Sequence, residues 1–511
     1  MNGAESLART LLACGVDTCF ANPGTSEMHF VAALDRVPGI RCVLALFEGV
    51  ATGAADGYAR MAGKPAATLL HCGPGLANGL ANLHNARRAR VPLVNIVGDQ
   101  ATYHAPLDPP LAAETAAWAR PVSAWLRTAS QPEAVGEAAA EAVRAASTPP
   151  GGIATLILPS DASWGEGGVA QGPLRVPAPA TVADAAIAET ARLLRSGDAM
   201  LFLGGDALRA QPLAAAHRIA AATGARLMAE TFSARMERGH GRFAIDRLPY
   251  NIGPGLAALA GVRHLVLVGA DDPVAFFAYP GQPGRFAHPE TAVTALSRPG
   301  EDGADALARL AERLGAPDIA PPMDGPPAPA SGAVTQQALG ETLAALLPEQ
   351  AVVVEEGITF AFGLYAPMAT AAPHDYLRHV GGAIGVGLPL ATGAAVGAPG
   401  RRVVSIQADG SALYTVQALW TQARERLDVT TVMLSNRRYA ILDHELAAVG
   451  AAPGPASRTL FDLGNPDLDW VRIAGGFGVE AARAETMESF ADLFAAANRR
   501  PGPFLIELVI P

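Results

Sequence analysis

At 511 residues the chain is too long for one hydrophobic core, and at about 150 residues per domain it divides into roughly three. Half of its residues are apolar and 17% are charged, yet no apolar run reaches the ~20 residues that a membrane-spanning helix needs. The formal net charge of −10, with no lysine-rich or arginine-rich block to offset it, excludes nonspecific nucleic-acid binding, so neither nucleic acid nor a membrane is an expected partner. The start, Met1 to Glu5, has neither the basic region nor the apolar stretch of a secretory signal, and a cytoplasmic enzyme is the expectation. Cys14, Cys19, Cys42 and Cys72 show no CxxC pair or metal-ligand spacing and read as reduced thiols.

In chain order, short apolar runs alternate with alanine-rich amphipathic segments. The strand-like Arg41 to Leu46 leads into a Gly- and Ala-rich segment from Gly49 to Met61, and Ala66 to His71, Leu93 to Val97 and Ile153 to Leu158 follow. Gly165 to Val182 loses all periodicity to Pro, Gly and Ala and reads as a linker. Ala199 to Leu203 and His264 to Val268 are the next strands, each followed by a glycine turn that falls short of a GxGxxG fingerprint. A second linker runs from Ala316 to Val334, and Val352 to Glu355, Val403 to Ile406, Val429 to Leu434 and Phe504 to Val509 complete the set. Strands alternating with helices predict parallel sheets covered on both faces. The expected fold is α/β, with three doubly wound parallel-sheet domains over residues 1–165, 183–315 and 334–511.

Four positions stand out chemically. Asp409 follows one predicted strand, and Asn436 lies 27 residues on at the end of another, with Ser411 to Arg426 reading as the helix between them. A right-handed crossover brings both strand ends to one carboxyl edge, where a carboxylate and an amide carbonyl are hard oxygen ligands suited to Mg²⁺. The Gly410-Ser411 turn then offers a helix N-terminus to phosphate; as isolated dipeptides, Asp-Gly and Asn-Arg are also ordinary turn chemistry. Glu48 sits among small residues in a segment that should be buried, where a lone carboxylate needs protonation, a partner or a task; a helix-start residue on the dipole is its plain structural reading. His71 ends a strand before Gly73-Pro74-Gly75, as a structural histidine or as a proton relay.

Ala408-Asp409-Gly410 with Ser435-Asn436 resembles the Gly-Asp-Gly and Asn-Asn signature of the thiamine diphosphate enzymes. Asn22-Pro23-Gly24-Thr25-Ser26-Glu27, Leu46-Phe47-Glu48-Gly49, Ala55-Asp56-Gly57-Tyr58-Ala59-Arg60 and His71-Cys72-Gly73-Pro74-Gly75 follow, in order and spacing, the N-terminal pattern of benzoylformate decarboxylase and acetolactate synthase. The resemblance runs from about Ser6 to Ile510 and is weakest in the middle third. It implies an aminopyrimidine-binding domain, a middle domain and a diphosphate-binding domain.

The resemblance also implies residue roles. Asp409, Asn436 and the main-chain oxygen of Arg438 are the Mg²⁺ ligands it assigns, and Thr359, Gly410 and Ser411 fall on the diphosphate. Gly382 supplies a carbonyl to the aminopyrimidine, Ile384 props the bent cofactor, and Glu48 bonds N1′ so that the cofactor activates its own C2 carbon. Ile358 stands where a second hydroxyl is usual. His71 matches the active-site histidine of benzoylformate decarboxylase, with His104 a second acid–base candidate, and Thr25 matches a substrate-facing serine. The decarboxylase's middle-domain histidine has no counterpart, its region being occupied by Phe276-Phe277-Ala278-Tyr279. Tyr439 to Leu446 is expected to cover the cofactor, with Ile441, His444 and Glu445 as contacts.

Together these imply thiamine diphosphate- and Mg²⁺-dependent nonoxidative decarboxylation of a 2-oxo acid, with carboligation as a second fate. Acetolactate-synthase-like carboligation is the alternative, and a noncatalytic homologue is disfavoured by the presence of Glu48 and Asp409. FAD is not expected. In such enzymes Glu48 and Asp409 come from different subunits, which makes a homodimer the minimal active unit and a tetramer the expected state.

Overall fold

The computed structural model describes residues 1–511. Seventeen strands form three sheets. β1 (Thr18–Ala21), β2 (Arg41–Leu44), β3 (Ala66–Leu70), β4 (Leu93–Asp99), β5 (Trp125–Thr128) and β6 (Ile153–Pro159) make the first, in the order β2-β1-β3-β4-β6-β5 and parallel throughout. After them come β7 (Ala199–Leu203), β8 (Arg226–Ala229), β9 (Arg235–Arg238), β10 (His264–Val268) and β11 (Ala292–Ser297). The second sheet is parallel in the order β11-β10-β7-β8. The third contains β12 (Val352–Glu356), β13 (His374–Arg378), β14 (Val403–Ala408), β15 (Val429–Ser435), β16 (Glu480–Ala484) and β17 (Phe504–Val509), in the order β16-β17-β15-β14-β12-β13-β9.

The fold is thus α/β with parallel sheets in three domains. Continuous apolar strands such as β3, β7 and β12, buried at every residue, are what a sheet covered on both faces requires. One strand departs from the expected scheme: β9 belongs by chain position to the middle third but pairs antiparallel with β13 at the edge of the third sheet. Its sequence, Arg-Met-Glu-Arg, has no apolar run; it is held by the pairing, by Arg235 on Asp375 at 2.5 Å, and by Met236 buried in the core. The helix expected over Ser411 to Arg426 is also corrected. It is broken into Asp409–Ala412, a 3₁₀ turn at Leu413–Thr415 and Ala418–Arg424. No helix is long and apolar enough to cross a membrane.

The first and third sheets meet through two helices, Glu48–Ala62 and Gly387–Gly397, that touch backbone to backbone. A Cβ at Gly57 would lie 2.0 Å from the Leu390 carbonyl oxygen, and one at Gly393 would lie 1.7 Å from that of Ala54. The Gly- and Ala-rich segment therefore serves a close helix crossing, which any side chain would force apart. Buried Arg60 locks the same junction. It pairs with Asp56 through both nitrogens at 2.7 Å and donates to the carbonyls of Ala234 and Arg378, joining residues from all three parts of the chain.

Candidate active site

The N-terminal half-site gathers where β1, β2 and β3 deliver their carboxyl ends. Glu48 opens its helix after an extended Phe47, is 7% exposed, and accepts from Asn78 Nδ2 at 3.0 Å through Oε2. Its Oε1 faces Gly75, where a Cβ would approach to 2.9 Å; the same Cβ would meet the His71 Cβ at 3.4 Å. Gly75 is therefore the gap that lets Glu48 and His71 share one site. The His71 side chain is a quarter exposed and is held from behind: its Nδ1 lies 2.9 Å from Glu27 Oε2 and 3.1 Å from Ser26 Oγ. Glu27 is buried and also accepts from the Gly24 backbone at 2.7 Å, while Gly24 itself lies flat against the imidazole.

In the sequence Ser26 and Glu27 are only parts of a matched block, with no task of their own. A carboxylate two residues beyond Thr25 was visible, but nothing local showed that it would face His71. Cys72 follows in the left-handed region at φ +53°, and burial pushes its thiol up to about 11, so it is an inert neighbour. Thr25 is exposed beside this group, at the start of a 3₁₀ turn. His104 is exposed at the N-cap of a separate 3₁₀ turn, Ala105–Leu107, and contacts none of these residues.

The second half-site is a cleft at the carboxyl edge of the third sheet. Its lining includes Thr359, Ile384, Asp409, Gly410, Ser411, Asn436, Arg438, Tyr439 and Ile441. β14 and β15 are adjacent and parallel, so the two strand ends bring Asp409 and Asn436 together. Asp409 accepts from the backbone of Gly410 at 2.8 Å and of Arg437 at 2.7 Å, and Asn436 Oδ1 accepts from the Arg438 backbone at 3.1 Å. The Arg438 side chain bonds Asp443, and Arg438 is among the residues that line the cleft. Burial pushes Asp409 up to about 6 despite its N–H donors, so a cation beside it is the partner that would keep it ionised. Carboxylate, amide and carbonyl oxygens are the donor set of Mg²⁺, and in that sense the residues fit the ion.

The diphosphate candidates divide. Thr359 lines the cleft with its hydroxyl uncommitted, whereas Ser411 is buried and donates to the Ala408 carbonyl at 3.1 Å. Ile358 sits at φ +47°, an uncommon region for a β-branched residue that costs on the order of 1–3 kcal/mol. Arg437, at φ +58°, is similarly placed just after Asn436. Strained non-glycine residues thus follow strand ends at both half-sites. Tyr439 was expected only as part of a cover; its ring lies directly on Gly410, where a Cβ would meet it at 2.4 Å.

Gly382 is not among the cleft residues but adjoins them at φ +79°. The loop around it is pinned from two sides. Asn85 bonds both the N–H and the carbonyl of Ala383, and His84 Nε2 contacts the Gly381 carbonyl at 3.1 Å. On the other side the buried Glu356 accepts from the backbone of Gly385, Val386 and Gly387 at 2.9, 3.3 and 2.8 Å. Burial pushes this carboxyl up to about 7. Its neighbour Glu355 would be raised by burial too, but the guanidiniums of Arg378 at 2.6 Å and Arg247 at 3.5 Å hold it below the usual range. Glu356 thereby organises the loop and helix that follow Ile384.

Two half-sites of this kind, one presenting a buried glutamate and the other a cleft lined by carboxylate, amide and hydroxyl oxygens, are the arrangement of a thiamine-cofactor enzyme. Residues 1–118 match the thiamine pyrophosphate enzyme N-terminal TPP binding domain, and residues 360–508 match the C-terminal TPP binding domain. The chain belongs to the thiamine pyrophosphate enzyme family. It is 54% identical, over all of its length and 99% of the relative's, to IlvX of Mycobacterium tuberculosis, a protein provisionally named an acetolactate synthase large subunit. It is also 29% identical to the benzoylformate decarboxylase of Pseudomonas aeruginosa, covering 97% of this chain and 96% of that one. The fold superposes on the 4-hydroxybenzoylformate decarboxylase of Rhodococcus jostii with a TM-score of 0.86 over 100% of this chain and 99% of the other, at 24% identity.

Proposed function

We propose that the protein catalyses the thiamine diphosphate- and Mg²⁺-dependent nonoxidative decarboxylation of a 2-oxo acid, with carbon–carbon ligation to a second carbonyl as a side reaction. The observation that carries this reading is the Glu27–His71 pair, at 2.9 Å, set beside Glu48 across Gly75. The bound cofactor supplies a nucleophilic carbon and an electron sink for the carboxylate that leaves as CO₂. The chain supplies the rest. Asp409, Asn436 and the Arg438 carbonyl would hold the cation, Thr359 and the Gly410-Ser411 turn the phosphates, and Ile384 the bend. Gly382 and Glu48 address the aminopyrimidine, Glu48 through its uncommitted oxygen.

His71, its Nδ1 engaged by Glu27, presents Nε2 as the atom that delivers a proton to the product carbon, with Thr25 beside it for the substrate. His104, exposed on its own turn, would have to come from loop closure to take part. The cleft is lined by residues 357 to 510 alone, so we assign its Glu48 to a second copy of the chain, in a homodimer or a tetramer of two such dimers. We place the enzyme in the cytoplasm and include no flavin.

Acetolactate-synthase-like carboligation is the second reading, and the 54% identity to IlvX favours it. Incubating the purified protein with Mg²⁺, thiamine diphosphate and either pyruvate or benzoylformate, and identifying the products, separates the two. Aldehyde as main product supports decarboxylation, and ketol supports ligation. No CO₂ from any 2-oxo acid would refute both.

A further inference from the structure

The segment Phe276-Phe277-Ala278-Tyr279, which carries no histidine, is tied to the cofactor side of the molecule by contacts that the proposed reaction does not use. The ring of Phe276 lies against Gly382: a Cβ on that glycine would meet its Cζ at 2.2 Å. Phe276 packs edge-on to Phe277 at 4.9 Å and to Phe232 at 5.7 Å, and tilted against Tyr250 at 5.5 Å. Tyr250 in turn stacks on Phe362, two residues beyond the cleft-lining Phe360. Three of these rings stay open to solvent, Phe276 at 40%, Phe277 at 53% and Phe362 at 37%. An apolar surface of this size beside a polar cleft is what a ligand's flat apolar group would cover.

The same region is fastened by one carboxylate. Glu445 accepts from Tyr250 Oη at 2.9 Å through one oxygen and from Tyr279 Oη at 2.8 Å through the other. Both tyrosines belong to the middle part of the chain. Glu445 lies on the helix Ala440–Ala448, which follows directly on Asn436 and Arg438 and lines the cleft with Ala440 and Ile441. That helix has no buried residue, so apolar packing does not hold it in place. Burial together with the adjacent Glu445 raises both phenols, which keeps them protonated and donating.

We propose that Tyr250, Glu445 and Tyr279 form an interdomain clamp that holds Phe276 over the Gly382 loop, making Phe276 the wall for the substrate's side group and favouring a planar aromatic group over a methyl. The proposal rests on the 2-oxo acid reading above. The two bonds fix the distance between the cleft-covering helix and the aromatic segment, so the wall exists only while both are made. Glu445, Tyr250 and Tyr279 are positioning residues, and Phe276 is the specificity-determining one. The segment carries no histidine, and its one phenol is committed to Glu445, which leaves proton delivery to His71.

The test uses the full-length protein loaded with thiamine diphosphate and Mg²⁺. In the double variant Tyr250→Phe/Tyr279→Phe, deuterium uptake is expected to rise together in residues 440–448 and 275–284 while strand β14 stays protected. The ratio of kcat/KM for benzoylformate over pyruvate should fall about tenfold, the low end of what a hydrophobic pocket discriminates. Phe276→Ala should lower the ratio equally without loosening 440–448, and adding it to the double variant should lower it no further. Unchanged uptake in the two segments overturns the clamp. Altered uptake with an unaltered ratio, or a wild-type enzyme that prefers pyruvate, overturns the wall. If the wild type turns over no 2-oxo acid, the proposed function is what fails, and the exchange measurement alone still decides the clamp.

Discussion

Glu356→Gln tests whether a buried carboxyl, rather than the glycines around it, builds the loop that carries Ile384. In the folded chain burial raises Glu356 to about 7, against an ordinary value of 4.5. Between those values the folded state holds a proton that the unfolded chain has released. Its contribution to stability is therefore present below pH 4.5 and is lost as the pH rises through 7. At 1.36 kcal/mol per unit the loss is about 3 kcal/mol. Glutamine cannot titrate, so the variant lacks this slope. Its Oε1 can keep the Gly385 and Val386 bonds, but its Nε2 faces the Gly387 N–H at 2.8 Å, donor against donor, at a cost of about 1–3 kcal/mol. That cost is the same at every pH and cancels when two pH values are compared.

The buried imidazoles of His379 and His374 are pushed down to about 4 and about 3, and they lose stability in the opposite direction, as pH falls below 6.5. They are common to both proteins and cancel as well. Urea unfolding of the cofactor-free wild type and variant, followed by far-ultraviolet circular dichroism at pH 5 and pH 8, is the assay. The variant should gain about 2.5 kcal/mol on the wild type between pH 5 and pH 8, the first part of the loss already lying below pH 5. A difference that does not change with pH, or that moves the other way, would refute the assignment of Glu356 as a proton-holding cap.

Three further outcomes are expected. Glu48→Gln should leave the fold intact and strongly slow proton–deuterium exchange at the cofactor C2, because an amide is a weaker acceptor than a carboxylate; an unchanged rate in the cofactor-loaded variant removes Glu48 from the mechanism. Asp409→Ala should weaken Mg²⁺ and thiamine diphosphate together in calorimetric titration, since each supplies ligands or charge to the other, and undiminished cofactor affinity with Mg²⁺ present would place the site elsewhere. His71→Ala should slow aldehyde formation by the ~10²–10⁴-fold typical of a positioned acid while slowing CO₂ release less, and equal losses of CO₂, aldehyde and ketol would deny it the proton-relay role.

What could be read from the sequence followed the range of the interactions involved. The Asp409 to Asn436 unit was legible because two apolar strands and a fixed spacer force a parallel crossover, and β14 and β15 pair as that rule requires. The same rule could not see that the helix between them would break at Leu413–Thr415. Thr415 gives its hydroxyl proton to the Gly385 carbonyl there, and helical periodicity carries no information about a loop 30 residues away. β9 was illegible for a stronger reason. Arg-Met-Glu-Arg becomes a strand because β13 offers it an edge, Asp375 an ion pair and the core a place for Met236, all of them distant in sequence. His71 was visible as a motif, but its holder Glu27 lies 44 residues away and is brought to it by β1 and β3 pairing side by side.

Small residues from Gly49 to Gly57 admit close approach of a ligand or of another backbone, and the structure shows by position what each one meets. Gly57 and Gly393 take each other's helix at distances no Cβ tolerates, while Gly49 fits against the Phe47 ring and Gly53 against Pro389. The helix that begins with Glu48 is thereby seated against the third sheet's helix along its length, and Arg60 fastens its far end to Ala234 and Arg378. Such packing is stiff, because two backbones in contact have no side chain to rearrange between them. Glu48 thus projects from a rigid body that includes the Gly382 loop, which Asn85 grips from the neighbouring helix. The cleft-covering helix Ala440–Ala448 is the opposite case, with no buried residue and a carboxylate tether. The proposed reaction, in which Glu48 must keep one orientation while the helix beside the cleft yields to substrate, would use that contrast, which is set by where the chain places its glycines and its tyrosines.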